Sequence, residues 1–139
     1  MPPPKTPLLT VDAVILYEKS NIILIRRKYP PFQGEYALPG GFVNIGETVE
    51  DACIREAEEE TNMNVKIVEF IGVFSDPKRD PRGHTITIAF LCEPMTKNEK
   101  PKAKDDAAAL EIIPISNVAS LKLAFDHMEI IKTSGILNK

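Results

Sequence analysis

The sequence predicts an α+β or α/β sandwich, in which strands pack against helices. Runs of β-branched and aliphatic residues recur along the chain with turn residues between them, as is usual for strands. Two other segments begin with residues that cap helices. Because strands and helices alternate along 139 residues, we expect the helices to pack on a sheet.

The length and composition fit a single domain over residues 1–139, large enough to bury a core without disulfide bonds. Residues 1–7 include four prolines and predict a flexible tail, with no apolar run of signal-peptide length. No later stretch approaches the roughly 20 apolar residues that a membrane span needs. We therefore expect a cytoplasmic protein with no membrane partner.

The charge and the cysteines argue against several classes of partner. The formal net charge is −3, whereas proteins that bind nucleic acid usually carry a basic excess. A small anion held through a metal ion remains compatible with this charge. Cys53 and Cys92 form no C-x-x-C motif and have no His at ligand spacing. We therefore expect two half-buried reduced thiols rather than a zinc or redox site.

The first part of the chain predicts a β-hairpin and then a glycine loop. Residues 8–17 and 22–27 are rich in β-branched and aliphatic residues, and residues 18–21 between them have turn chemistry. Residues 36–38 form a short apolar segment. Pro39-Gly40-Gly41 follows it, and the two glycines allow another group to approach the backbone closely.

Two helices are predicted. The first covers residues 49–61 and follows Thr48-x-x-Asp51, which resembles a capping box. The second begins after Asp126, which we expect to cap it, and ends before Gly135.

Three more strands are predicted. Residues 65–74 and 85–92 flank a polar, proline-punctuated loop of residues 75–84. Residues 93–107 are polar, and the short apolar segment of residues 110–115 after them is compatible with an edge strand.

Three glutamates share one face of the first predicted helix. Glu56, Glu59 and Glu60 stand at i, i+3 and i+4, so their carboxylates can converge. Like charges at this spacing repel, and the C-terminal half of a helix also disfavours anions. A hard divalent cation, magnesium or manganese, would remove both penalties. The alternative is a solvated acidic face.

Two further charged residues flank this cluster. Arg55 lies four residues before Glu59 and can hold its carboxylate, and Glu47 can reach Arg55. The alternative for both is an ordinary surface ion pair worth under about 1 kcal/mol.

From Gly41 onward the chain contains the pattern Gly41-x5-Glu47-x7-Arg55-Glu56-Ala57-x-Glu59-Glu60-x-Asn62-Met63. This pattern resembles the box of the Nudix hydrolase family, G-x5-E-x7-R-E-U-x-E-E-x-G-U, where U is aliphatic. The resemblance implies the Nudix fold, an α/β/α sandwich with a mixed sheet packed between helices. Asn62 replaces the family's Gly. Because Asn tolerates the left-handed conformation that ends a helix, we expect this turn to form.

The resemblance also implies a metal centre and a reaction. The implied ligands of Mg²⁺, or of Mn²⁺ in its place, are Glu56, Glu59, Glu60 and the backbone carbonyl of Gly40. Arg55 and Glu47 become groups that orient the ligands. The implied reaction is attack of water on one phosphorus of a nucleoside diphosphate linked to another group. Three residues remain candidates for the general base: Glu56, Asp105 and Asp106.

Residues 75–84 indicate the substrate. Their sequence, Ser-Asp-Pro-Lys-Arg-Asp-Pro-Arg-Gly-His, together with residues 38–43 and 124–127, is similar to microbial ADP-ribose pyrophosphatases within the family. This similarity implies hydrolysis of ADP-ribose to AMP and ribose 5-phosphate, with Arg79 and Arg82 contacting phosphate or the terminal ribose. The alternative is a plain exposed hairpin loop.

Of the neighbours Arg26 and Arg27, only one can line a site, because alternate residues of a strand face opposite sides. Arg27 matches by position a phosphate- or base-contacting arginine of the relatives, so we favour Arg27. The alternative is a strand end with solvated charge. We expect structural roles for His84 and His127.

Two other functions fit the same family resemblance. The first is hydrolysis of nucleoside triphosphates, including oxidised ones, and the second is non-catalytic sensing of a nucleotide. In every case the expected partner is a small-molecule nucleotide and not a nucleic acid. The family resemblance also implies a homodimer as one possible assembly.

Overall fold

The computed structural model describes residues 2–103 and 107–138. These residues form β1 Leu8–Tyr17, β2 Asn21–Arg27, β3 Tyr36–Ala37, β4 Gly40–Phe42, α1 Val49–Thr61, β5 Val65–Phe74, β6 Thr85–Pro94, β7 Ala107–Pro114, α2 Ile115–Val118, α3 His127–Ser134 and a final 3-10 turn, Ile136–Asn138. Residues 2–7 are exposed and lie outside these elements. None of the described helices has the length and apolar character needed to cross a membrane.

Strand β1 lies at the centre of a mixed seven-stranded sheet. It runs parallel to β6 and antiparallel to β2 and β4. The main strand order is β3-β2-β1-β6-β5, while β4 pairs with β1 and β7 pairs with β2. The mixed sheet predicted from the family resemblance is confirmed.

Two hydrophobic cores lie on opposite faces of this sheet. Alternate residues of β1 point to opposite sides, so Val11 and Ile15 pack in one core with the buried face of α1. Val14 packs in the other core with Ile130 and Ile131 of α3. The sheet is therefore packed between helices, which confirms the predicted α/β/α sandwich.

The bounds of the elements depart from the prediction after residue 92. Strand β6 continues to Pro94, and β7 begins at Ala107 rather than at residue 110. Ile115 belongs to α2 and not to β7. Helix α2 was not predicted, because a helix of four residues is too short to show a helical period in the sequence.

The caps of α1 agree with the sequence, whereas the cap of α3 does not. The Thr48 hydroxyl accepts a hydrogen bond from the N–H of Asp51 at 3.0 Å, and α1 ends at Asn62 with φ of 63°. The Asp126 side chain makes no capping hydrogen bond. It accepts two hydrogen bonds from Arg79 instead, because a guanidinium binds a carboxylate more strongly than one N–H does. Asp126 therefore stands at the predicted start of α3, but the prediction that its side chain caps the helix is wrong.

The two cysteines lie in contact inside the core. Cys53 of α1 and Cys92 of β6 are both buried, with their Sγ atoms 3.8 Å apart. The expectation of half-buried thiols is therefore wrong, because spacing in the sequence does not show that α1 packs on β6. The contact with Cys92 and burial both raise the pKa of the Cys53 thiol, which favours the uncharged form.

We predict that Asn62→Ala lowers the free energy of unfolding by about 1 kcal/mol, because Ala is strained at a left-handed helix end. Asn62→Gly should be at least as stable as the unsubstituted protein, since Gly adopts this conformation without a Cβ clash. Chemical denaturation measures both values. Equal stability of the Ala and Gly variants would contradict this account of the turn.

Candidate active site

A cavity of about 430 Å³ lies where α1, the glycine loop and the loop before β6 meet. Carboxylates line one part of it and arginines another, with the glycine backbone beside the carboxylates. These residues are Asp12, Glu56, Glu60, Arg27, Arg79, Arg82, Gly40 and Gly41. The cavity thus brings together most of the site residues predicted from the sequence.

Two carboxylates of α1 meet at this cavity with little solvent around them. Glu60 is 7% exposed. Its Oε1 accepts a long hydrogen bond from the N–H of Gly40 at 3.4 Å, and its buried Oε2 has no partner among the described residues. Burial, and then the charge of Glu56, raise the pKa of Glu60 to about 9. Burial also raises the pKa of Glu56, against the opposing effect of Arg55.

Glu59 does not join the other two glutamates in the structure. Its side chain is 42% exposed and lies 3.1 Å from Nη1 of Arg55. Within residues 2–103 and 107–138, no three His, Cys, Asp or Glu side chains are arranged to hold a metal ion. The predicted convergence of three carboxylates is therefore seen for Glu56 and Glu60 alone.

The chemistry of this pair fits a divalent cation. An unpartnered buried carboxylate oxygen costs free energy, and a second carboxylate beside it adds repulsion. A hard cation with oxygen ligands would offset both costs. The glycine loop leaves room for such close packing: a Cβ on Gly41 would lie 2.6 Å from the carboxyl carbon of Glu56.

Arg55 holds the acidic cluster in place. Its guanidinium donates to both carboxylate oxygens of Glu47 at 2.7 and 2.9 Å, and to Glu56 at 2.8 Å. It also donates to the Phe42 carbonyl at 3.0 Å. The Arg55 hydrogen bonds lower the pKa of Glu47 to about 2. Arg55 therefore holds the Glu56 carboxylate and ties α1 to the end of β4.

Asp12 and Thr87 form a buried polar network under the glycine loop, and neither was predicted as a site residue. Thr87 Oγ1 donates to Asp12 at 2.6 Å, and burial raises the pKa of Asp12 to about 7. Nε2 of His127 lies 3.5 Å from Asp12, while Nδ1 accepts from the N–H of Leu38 at 3.0 Å. The one available signal was an acidic residue inside the apolar run of β1.

Arg27 lies in the arginine-lined part of the cavity, whereas its neighbour Arg26 does not. Arg27 lines the cavity, and its Nε donates to the Pro31 carbonyl at 2.6 Å. Arg26 points away and pairs with Glu111 at 2.7 Å. Burial, and then the charge of Arg82, lower the pKa of Arg27. The expectation that one of the two arginines faces the cavity agrees with this geometry.

The two arginines of residues 75–84, Arg79 and Arg82, differ in their exposure to solvent. Arg79 is 5% exposed in its side chain and donates to both carboxylate oxygens of Asp126 at 2.9 and 2.6 Å. Arg82 is 49% exposed and pairs with Asp80 at 2.8 Å. Both line the cavity and each guanidinium has an acidic partner, but Arg82 is far more exposed to solvent than Arg79. Arg82 therefore has more freedom to bind a solute.

The remaining predicted residues lie elsewhere. His84 contacts the Ser75 carbonyl at 3.0 Å and so closes the loop between β5 and β6. Asp105 and Asp106, two of the candidate bases, lie outside the described residues. Glu56 lines the cavity.

In this fold, acidic residues of helix α1 face a cavity that arginines also line. Residues 6–133 match the profile of the NUDIX domain family. Because this match covers most of the chain, the chain belongs to the NUDIX domain family. The predicted family is therefore confirmed.

Individual relatives agree with this assignment. Over 127 residues the chain is 50% identical to an ADP-ribose pyrophosphatase of Methanocaldococcus jannaschii, covering 91% of this chain and 72% of the relative. The NUDIX domain of Shewanella oneidensis NrtR, solved with ADP ribose, superposes with a TM-score of 0.84 at 27% identity, covering 94% of this chain and 87% of that chain.

A third relative carries a ligand and a metal ion. It is a bifunctional NMN adenylyltransferase/ADP ribose pyrophosphatase of Francisella tularensis, solved with AMP and a manganese ion. The TM-score is 0.79 at 32% identity, and the match covers 94% of this chain and 42% of that chain.

We predict that buried His127 makes the fold sensitive to acid. Burial lowers the pKa of His127 to about 3, against 6.5 for an ordinary His. Between these values His127 binds a proton in the unfolded chain but not in the folded chain, so its contribution to the free energy of unfolding falls as pH falls. The slope reaches at most about 1.4 kcal/mol per pH unit. The raised pKa values of Asp12 and Glu60 act in the opposite direction. His127→Asn keeps an acceptor for the Leu38 N–H and removes the His127 contribution, so acid should destabilise it less than it destabilises the unsubstituted protein.

Urea unfolding between pH 7 and pH 4 measures this difference. His84→Asn, at the exposed histidine, is the matched control and should follow the unsubstituted protein. Parallel curves for His127→Asn and the unsubstituted protein would contradict the prediction.

Proposed function

We propose that this protein is a metal-dependent hydrolase of ADP-ribose, which it converts to AMP and ribose 5-phosphate. The observation that carries the proposal is the cavity itself, because buried carboxylates and arginines line different parts of one space. A diphosphate needs both: arginines bind its oxygens, and a metal ion held by carboxylates offsets its charge.

Nudix hydrolases generally use divalent metal ions, and we propose Mg²⁺ here, with Mn²⁺ as a substitute. The residues that would hold the ion are Glu56, Glu59, Glu60 and the backbone carbonyl of Gly40. When bound, such an ion neutralises phosphate oxygens and lowers the pKa of bound water. Its charge also suits the unpartnered Oε2 of Glu60. The exposed Glu59 carboxylate would have to turn from Arg55 to take part.

The chain's own residues set the geometry of this end of the cavity. Arg55, held by Glu47, fixes the carboxylate of Glu56. Gly40 and Gly41 leave space beside the acidic residues, since a Cβ on Gly40 would lie 2.5 Å from the Asp12 carboxylate. Arg55 and Glu47 therefore act by positioning, and the two glycines act by leaving room for the carboxylates of Asp12 and Glu56.

Phosphate binding belongs to the other end of the cavity in this proposal. Arg27 and Arg82 have guanidinium groups that match phosphate oxygens, and Arg79 supports the same wall through its pair with Asp126. In the reaction a water oxygen bonds to one phosphorus, and the bond from that phosphorus to the bridging oxygen breaks. For the general base, Glu56 is a candidate within the described residues, and Asp105 and Asp106 stay alternatives.

The relatives support the choice of ADP-ribose. The Methanocaldococcus jannaschii protein, half identical to this chain, is named an ADP-ribose pyrophosphatase. The Francisella tularensis protein bears the same name for one of its two activities, and the Shewanella oneidensis domain was solved with ADP ribose. A ligand shared by three relatives is the substrate that we propose for this cavity.

Two alternative functions predict different results in the substrate assay described below. Nucleoside triphosphates contain the same phosphate chemistry, and a relative in Bacillus subtilis is named a putative 8-oxo-dGTP diphosphatase. A nucleotide sensor is the other alternative, since an Acinetobacter baylyi relative is named an ADPR responsive transcriptional repressor. The buried carboxylate pair favours hydrolysis, because a sensor has no need of the repulsion between Glu56 and Glu60.

We predict that the protein with Mg²⁺ hydrolyses ADP-ribose with a kcat/KM at least about 10-fold above those for GTP, dGTP and 8-oxo-dGTP. Release of AMP or pyrophosphate measures each rate. Glu60→Gln should reduce turnover by more than about 100-fold, whereas Glu50→Gln, an exposed change on the same helix, should not.

Faster turnover of GTP or dGTP than of ADP-ribose would contradict the substrate. Binding of ADP-ribose without turnover of any compound would instead identify a sensor. A single domain over residues 1–139, a cytoplasmic location, a homodimer and the lack of a nucleic-acid partner stay predictions.

A further inference from the structure

Phe125 contacts two of the three arginines that line the cavity. The Arg27 guanidinium carbon is 5.0 Å from the Phe125 ring centroid, and that of Arg82 is 5.6 Å from it. All three residues line the cavity. A cation within about 6 Å of an aromatic ring face is attracted by it. One ring therefore contacts two cations that belong to different parts of the chain.

Without the ring, the positive charges of Arg27 and Arg82 would repel each other more strongly. The charge of Arg82 is one cause of the lowered pKa of Arg27, after burial. Arg82 has an acidic partner in Asp80, whereas the Nε of Arg27 donates to a carbonyl. The negative face of an aromatic ring reduces such repulsion without adding an anion that would compete with phosphate.

The backbone around Phe125 holds this ring in one place. Phe125 has a left-handed φ of 53°, which is costly for a bulky residue. Its ring packs edge-on against Phe32 at 4.9 Å, and Phe32 is also left-handed, with φ of 61°. Strained residues persist where their surroundings fix them. Both phenylalanines thus have unusual backbone conformations beside the cavity.

The residues on either side of Phe125 are also fixed. Ala124 is buried and its N–H donates to the Tyr36 carbonyl at 2.8 Å. Asp126 pairs with Arg79, and His127 accepts from Leu38. The ring is consequently anchored from both directions along the chain, and it also packs against the small core cluster of Ile25, Ala37 and Ala124.

We propose that Phe125 is a positioning residue for phosphate binding, whose ring holds the guanidinium groups of Arg27 and Arg82 toward the cavity. This inference rests on the proposed function, because it assumes that these arginines bind the substrate diphosphate. Phe125 itself need not touch the phosphates. The aromatic face, rather than apolar volume, is what the arginines require.

Steady-state kinetics with ADP-ribose and Mg²⁺ test this role. Phe125→Leu keeps an apolar side chain but removes the ring, and should raise KM about 5- to 30-fold with kcat within about twofold of the unsubstituted protein. Phe125→Tyr keeps the ring face and should stay within about twofold in both constants. If Phe125→Leu does not fold, Phe125→Met takes its place, since Met adapts to irregular space.

Binding of pyrophosphate and of adenosine in EDTA, measured by calorimetry, separates this inference from the proposed function. Phe125→Leu should weaken pyrophosphate binding by about the same factor as it raises KM, while Phe125→Tyr should not. Failure of the unsubstituted protein to hydrolyse ADP-ribose would contradict the proposed function but leave this comparison intact.

Three results would overturn the inference. The first is pyrophosphate binding that is equal in Phe125→Leu and the unsubstituted protein, or absent from both. The second is weakened binding of adenosine alone, which would make Phe125 a contact for the base. The third is a loss of kcat at unchanged KM.

Discussion

The close approach of Glu56 and Glu60 is the constraint on which the rest of the site depends. Two carboxylates in a poorly solvated place repel each other and resist ionisation, and the raised pKa values of both groups express this cost. Several features serve to keep them there. Arg55 holds Glu56 and Glu47 together, and Gly41 leaves space where a Cβ would overlap the Glu56 carboxylate. A fold that stabilises such a pair is suited to bind a cation.

The α/β/α sandwich explains why the arginine-lined end of the cavity lies beside its carboxylate-lined end. Helix α1 packs on one face of the sheet and α3 on the other, yet the turn before α3 returns to the cavity. In this turn Phe125 contacts two arginines and Asp126 binds Arg79, and His127, the first residue of α3, accepts a hydrogen bond at the start of the glycine loop. One short segment therefore links the arginine wall to the backbone beside the carboxylates, and this link relates phosphate binding to the proposed metal position.

Local sequence patterns predicted much of the fold, whereas side-chain contacts between residues distant in the sequence were not predicted. The bounds of α1 and the left-handed turn at Asn62 depend on neighbouring residues and were predicted correctly. The choice of Asp126 between a backbone N–H and Arg79 depends on a residue 47 positions away, so sequence spacing gave the wrong partner. The same reason hides the contact between Cys53 and Cys92, and the bond from Thr87 to Asp12. The orientation of Glu59 toward Arg55 depends on side-chain rotation, which spacing alone leaves open.

The central claim is that the Glu56 and Glu60 pair binds a divalent cation, and its most direct test is the effect of Mg²⁺ on thermal unfolding. A ligand that binds the folded chain stabilises it by RT ln(1 + [L]/Kd). The unfolding temperature should therefore rise with Mg²⁺ concentration for the unsubstituted protein and for Glu50→Gln, and should not rise for Glu60→Gln. An equal rise for Glu60→Gln, or no rise for the unsubstituted protein, would contradict the account.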